Sequence, residues 1–155
     1  MYDFKEEYKI GVEEIDKQHQ KLFELTDKAY CLLKDEYTLD KYDKIVAIIN
    51  ELRDYTKFHF KSEEDYMESI KYKKLFTQKI EHAEFVKKLD EVDLSKIDES
   101  QDTYISDLLA FLSNWLIEHI LKKDMLIGNR VGGRQLFCLP TSHTTVRTVR
   151  YTAVL

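Results

Sequence analysis

Apolar residues recur at intervals of three and four along four separate stretches of the chain, the spacing of a helix with one buried face. The first stripe is Ile15, His19, Leu22, Thr26, Ala29 and Leu33; the second is Ile45, Ile49, Leu52, Thr56, His59, Glu63 and Tyr66. The third is Leu75, Gln78, His82, Phe85 and Leu89; the fourth is Ile105, Leu108, Leu112, Trp115 and His119. Polar, turn-prone stretches part them at Lys34 to Lys41, Met67 to Lys71 and Asp93 to Gln101. Four Gly and one Pro in 155 residues are too few for an all-β fold built on turns. The pattern therefore predicts an all-α protein, an up-down-up-down bundle of four helices of about 18–28 residues with short connections. The stripes do not match one another residue for residue, so a repeat array is excluded. No apolar run approaches the ~18 residues of a membrane helix.

The charge is divided unevenly. Residues 1–127 hold 20 basic side chains, all Lys but Arg53, against 29 acidic ones, a net charge of −9. Residues 128–155 hold four Arg, no Lys and no acid, with three of the four Gly and Pro140. We read 1–127 as the bundle domain, with Gly128 ending its last helix. The tail, 128–155, is of foreign composition, non-native or disordered, with a genuine partner-binding tail as the alternative. The acid-rich body gives no basic footprint for nucleic acid. MYDFKEEYKIGVEEID shows no basic start followed by an apolar stretch, so a cytoplasmic protein is expected, with Cys31 and Cys138 as free thiols.

The polar residues on the apolar stripes carry the chemistry. His19, His59, His82 and His119 lie one on each stripe, while His143 falls in the tail. A single inward His is ordinarily a hydrogen-bonded core residue. Burying four would require many internal partners, and convergence on a metal accounts for all four, since neutral imidazole is the commonest metal ligand. His59 and Glu63 are one turn apart on one face. His119 and Asp124 are five apart, a rotation of about 140° on an ideal helix, so they share a centre only if the helix lies broadside or is distorted. Mixed imidazole and carboxylate donors suit iron, zinc, copper or manganese. A ferritin-like plan needs Glu-x-x-His on two helices, and the nearest approach is Asp16-x-x-His19. His-Glu-x-x-His, a Ser-His-Asp grouping, a phosphate-binding glycine loop and a reactive Cys motif are all absent.

Four segments, IGVEEIDKQHQKL, HFKSEEDYM, HAEF and WLIEHILKKD, stand in an order and spacing that resemble the hemerythrin family, its bacterial single-domain members in particular, across residues 8–127. The resemblance implies a non-haem centre of two iron ions, oxo- or hydroxo-bridged, inside the bundle. It assigns His19 and His59 to one iron, three His of the third and fourth helices to the other, and Glu63 and Asp124 as bridges. It also implies reversible end-on binding of dioxygen at the iron with fewer His, with reduction to the peroxide level. The chain departs from the family at one ligand: where the family has His-x-x-x-His, Gln78 precedes His82. The second iron then keeps His82 and His119. Losing even a partner of a ligand costs ~10–100-fold in metal affinity or activity, and losing a ligand should cost at least as much. Gln78 ligates through its amide oxygen, or water fills the gap, or that iron is labile.

The resemblance places Leu22, Phe60, Trp115, Leu116 and Ile120 in the apolar wall of the oxygen pocket, where exclusion of water protects a charged adduct. Ordinary core is the alternative for each, with Phe60 and Trp115 the stronger pocket assignments. The expected function is reversible oxygen carriage, storage or scavenging by a monomer, with no nucleic acid or membrane partner and no enzymatic turnover. Two alternatives stand beside it. One is a di-iron enzyme, opened at Gln78, acting on peroxide, nitric oxide or oxygen. The other is a module binding a single metal ion.

Overall fold

In the computed structural model, described over residues 2–128, four helices follow the four stripes. They are α1 (Glu13–Lys34), α2 (Tyr42–Ser69), α3 (Leu75–Asp90) and α4 (Gln101–His119). Short 3₁₀ segments at Glu6–Tyr8 and Leu94–Glu99 precede α1 and α4. The last helix continues through a π turn, Ile120–Asp124, into α5 (Met125–Gly128). The 16 residues of α3 make it shorter than the spacing predicts. The tail, with His143 and Cys138, lies beyond the described residues; Cys31 is a free, exposed thiol. No described helix is long and apolar enough to cross a membrane.

The chain forms an all-α four-helix bundle in which α1 packs against α2 and α4, and α2 against α3. Most stripe positions bury as the period requires, while Leu33, Tyr66, Leu75 and Trp115 are only half-buried. Ile15, Leu22, Ala29, Ile45, Ile49, Leu52, Phe85, Leu89, Ile105, Leu108 and Leu112 are all within 6% of full burial. One large apolar cluster fills one end, from Leu25 and Leu32 through Ile49 and Phe85 to Leu109. Met67, Tyr72 and Ile127 close the other end. The polar inward residues lie between these two clusters along every helix.

Two contacts outside the stripes hold the frame. Arg53, the lone Arg of the body, donates to the carbonyls of Leu89 at 3.1 Å, Asp90 at 3.1 Å and Val92 at 3.2 Å. It thereby satisfies carbonyls left open at the end of α3. The segment before α1 is tied down by Asp16, whose carboxylate accepts from the Ile10 and Gly11 amides at 2.7 and 3.0 Å. Gly11 turns the chain there at φ +86°, a left-handed conformation that other residues adopt at a cost.

Candidate metal centre

His19, His59, His82 and His119 all reach the bundle interior, each at most 5% exposed. Glu63 and Asp124 are fully buried among them, and Gln78 is 2% exposed. The donors fall into two abutting groups, His19 with His59 and Glu63, and Glu63 with His82 and His119, the donor atoms of each within 4.8 Å of one another. Glu63 belongs to both. Asp124 also spans them, with Oδ2 at 3.5 Å from His19 Nε2 and Oδ1 at 3.3 Å from His119 Nε2.

The π turn explains how Asp124 reaches the centre. On a regular α-helix it would be rotated away from His119. Here the Met125 amide donates to the Ile120 carbonyl five residues back, so the turn holds one extra residue. Residues five apart then come to one side, and Asp124 closes on His119. The broadside alternative is not needed. The first two helices need no such device, because His59 and Glu63 already share a face.

Three imidazoles are oriented from behind. His59 Nδ1 lies 3.0 Å from Gln18 Oε1, and His82 Nδ1 lies 3.0 Å from Glu64 Oε1. His119 Nδ1 lies 3.4 Å from Glu81 Oε2, and Glu81 is held in turn by Lys123 at 2.6 Å. These acceptors favour the proton on Nδ1, which leaves the Nε2 lone pairs facing inward. Gln18, Glu64 and Glu81 each neighbour an expected ligand in sequence, the one signal that could have singled them out. Phe60 stacks on His82 with centroids 4.1 Å apart, and Trp115 stacks on His119 at 4.2 Å.

The inward atoms fit a cation and fit little else. His19 Nδ1 and Nε2, both Glu63 oxygens, Asp124 Oδ2 and Gln78 Oε1 are buried without a hydrogen-bond partner. His82 Nε2 and His119 Nε2 face each other at 3.1 Å. Unpartnered buried polar atoms are costly, and two imidazole lone pairs at that distance call for a shared proton or cation. Burial sets the ionisation. It holds His19 and His59 below the usual imidazole range, and with the charges of His82, His19 and Lys123 it takes His119 down to about 2. Burial also lowers His82, but the Glu63 carboxylate 3.3 Å away, the hydrogen bond to Glu64 and the charge of Asp124 outweigh it and raise the group. Burial raises Asp124 to about 8 despite the hydrogen bond from Gln78, and burial followed by the charge of Asp124 raises Glu63. Bound cations would reverse these carboxylate shifts.

Gln78 sits on the same inward stripe as His82, as its spacing predicts. Its Nε2 donates to Asp124 Oδ1 at 3.2 Å, and its Oε1 is left open. Leu22, Phe60, Trp115 and Leu116 line a small cavity of about 10 Å³ beside the donors, together with Thr26 and Thr56. The two Thr hydroxyls donate to the carbonyls of Leu22 and Leu52 in their own helices at 2.9 and 2.8 Å, so the hydroxyl proton of each is engaged there. Ile120 is fully buried in the neighbouring apolar cluster with Leu22 and Leu116 and does not line this cavity.

The comparison with known proteins agrees with this arrangement. Residues 10–131 match the family model described as the hemerythrin HHE cation binding domain. The chain is 52% identical over 124 residues to a Bacteriohemerythrin of Clostridium acetobutylicum, covering 80% of this chain and 96% of the relative. It is 30% identical over 129 residues to a Bacteriohemerythrin of Stenotrophomonas maltophilia, covering 83% and 80%. A Hemerythrin-like protein of Naegleria gruberi is 28% identical over 116 residues, covering 75% and 82%. With the family model spanning most of the chain and four inward imidazoles gathered around two buried carboxylates, this protein belongs to the hemerythrin family.

Proposed function

We propose that the chain holds two non-haem iron ions and binds dioxygen reversibly, as a diffusible carrier, store or scavenger of the cytoplasm. The observation that supports this most is the pair of donor groups sharing Glu63, in which both His19 nitrogens and both Glu63 oxygens are buried without a hydrogen-bond partner. His19 and His59 would hold one ion, His82 and His119 the other, with Glu63 and Asp124 between them and Gln78 beside the second. When bound, the two ions supply the electrons and open coordination sites that dioxygen needs. The chain supplies the rest. Gln18, Glu64 and Glu81 orient the imidazoles, and burial keeps His19, His59 and His119 neutral, the form that ligates. Leu22, Phe60, Trp115 and Leu116 form the water-excluding side, suited to a small apolar ligand.

Gln78 supports a second reading. An amide in place of an imidazole would hold the second ion more weakly, which would favour turnover of peroxide, nitric oxide or oxygen. Iron per chain, measured beside the visible spectrum through a cycle of reduction and re-exposure to oxygen, separates the readings. Two irons and a recovered oxygenated spectrum support carriage. One iron, or prompt irreversible oxidation, rejects it. Gln78→His is expected to raise iron retention at the second position at least ~10-fold. Unchanged iron content and oxygen binding would show that Gln78 is no weak point.

A further inference from the structure

Between the segment before α1 and one face of α1 lies a groove of about 670 Å³. Its apolar lining is aromatic: Tyr2 and Phe4 from the segment and the buried Phe23 from α1, with the Phe4 and Phe23 rings edge to face at 5.6 Å. Its rim is acidic, with Asp3, Glu6, Glu24 and Asp27 against Lys9 and Lys28. Both lysines are already engaged, Lys9 with Glu6 at 2.6 Å and Lys28 with Glu51 at 2.9 Å. Asp27 accepts from the Tyr2 amide at 2.8 Å. Glu24 accepts only from the neutral Gln20 amide at 3.2 Å, and neither it nor Asp3 pairs with a cation among the described residues. The free, exposed Cys31 stands at the far end.

An aromatic floor under an acidic rim suits an occupant that is both apolar and basic, and the chain supplies one at the right place. The last described helix ends at Gly128 against Ile10, the neighbour of Lys9 on the rim. From there the sequence runs NRVGGRQLFCL over residues 129–139, with Arg130, Arg134, Leu136, Phe137 and Leu139 and no acidic side chain. The Ile10 amide is bonded to Asp16, and from Asp16 to Cys31 the distance along α1 is roughly 22 Å at ~1.5 Å per residue. The stretch from Gly128 to Cys138 reaches ~33 Å when extended, enough to run the length of the groove. Tethering at its mouth keeps the effective concentration of the stretch high. We propose that residues 129–139 turn back along α1 and occupy this groove, with Arg130 and Arg134 against Asp3 and Glu24, Leu136 and Phe137 on the aromatic floor and Cys138 beside Cys31. No residue of the groove is a candidate metal ligand, so the inference stands apart from the di-iron reading. Phe4 nevertheless joins the two places, since its ring lies 6.5 Å from that of His19.

The test uses the full chain, with its own two cysteines as reporters. With oxidised glutathione as the oxidant, a bridge between Cys31 and Cys138 consumes one molecule of it and releases two of the reduced form. Peptide mapping of dilute protein should find that bridge within single chains. Its rate should fall roughly tenfold in Asp3→Asn/Glu24→Gln, whose fold is checked by circular dichroism, and should fall as salt is raised. The charge swap Glu24→Arg/Arg134→Glu should recover the rate that Glu24→Arg alone loses. Arg147→Gln/Arg150→Gln, beyond the docked stretch, should leave it unchanged. Hydrogen exchange reads the groove without thiols: the amides of residues 3–9 should exchange faster in Arg130→Gln/Arg134→Gln than in the parent chain. An unchanged bridging rate in Asp3→Asn/Glu24→Gln, or unchanged exchange in the arginine variant, would overturn the proposal. So would bridges between two chains, which would put a second copy in the groove, and so would an equal loss from Arg147→Gln/Arg150→Gln, which would mark diffuse attraction alone.

Discussion

His59, His82 and His119 each have an oxygen acceptor at Nδ1, whereas both ring nitrogens of His19 lack a partner. The orientation of His59 therefore depends on Gln18, and that of His19 on packing against His59 and Phe4. Gln18→Ala should lower affinity for the first metal ion by about 10–100-fold with little loss of helix content, measured by metal competition with a chelator. An unchanged affinity would show that packing alone fixes the ring. The inward placing of the imidazoles and Glu63 could be read from period alone. The acceptors behind them could not, because Gln18, Glu64 and Glu81 look like any solvated helix residue until another helix packs against them.

At the scale of elements, the junctions are where this bundle departs from regular helix. Arg53 holds three carbonyls at the end of α3 with a planar fork, which a Lys ammonium cannot reproduce. Arg53→Lys should cost about 1–2 kcal/mol in denaturant unfolding, with fraying confined to the end of α3 in hydrogen exchange. The end of the last helix is tied to the segment before α1 by close backbone approach. A Cβ at Gly128 would stand 1.7 Å from the Ile10 carbonyl oxygen. Gly128→Ala should therefore push that segment away, costing about 1–3 kcal/mol and loosening the Ile10 and Gly11 amides in hydrogen exchange. The spacing marked Gly128 as a helix end; its tertiary contact with Ile10 lay outside anything periodicity reports.

For the whole molecule, the metal-binding interior is an electrostatic liability when no metal is bound. His19, His59 and His119 have folded values below their unfolded ones, so their contribution is present above about pH 6.5 and lost as pH falls. Asp124, raised to about 8, works the other way: its contribution is present below its unfolded value and lost as pH rises through about 8. His82, also raised, adds to the alkaline loss. The metal-free protein should be most stable near pH 6–7 and should lose melting temperature toward both pH 5 and pH 8.5. Metal loading should raise the melting temperature and remove the alkaline fall, because bound cations favour ionised carboxylates. A metal-free melting temperature that rises between pH 7 and 8.5 would contradict this account.

The sequence by itself determined the four helices, their buried faces and the inward position of His19, His59, Glu63, Gln78, His82 and His119. It could do so because a helix repeats every 3.6 residues, so spacing along the chain translates directly into a face. Asp124 marks the limit of that translation. Its five-residue step from His119 pointed off the face, and only the π turn at Ile120–Asp124 brings it to the centre. A one-residue change of pitch leaves no periodic trace, since it depends on how α4 and α5 pack against the rest of the bundle. The same holds for the mouth of the acidic groove, where Gly128 meets Ile10 from the other end of the described chain. Tertiary packing decided which charges share that space, because side chains remote in sequence interact only once the helices have docked.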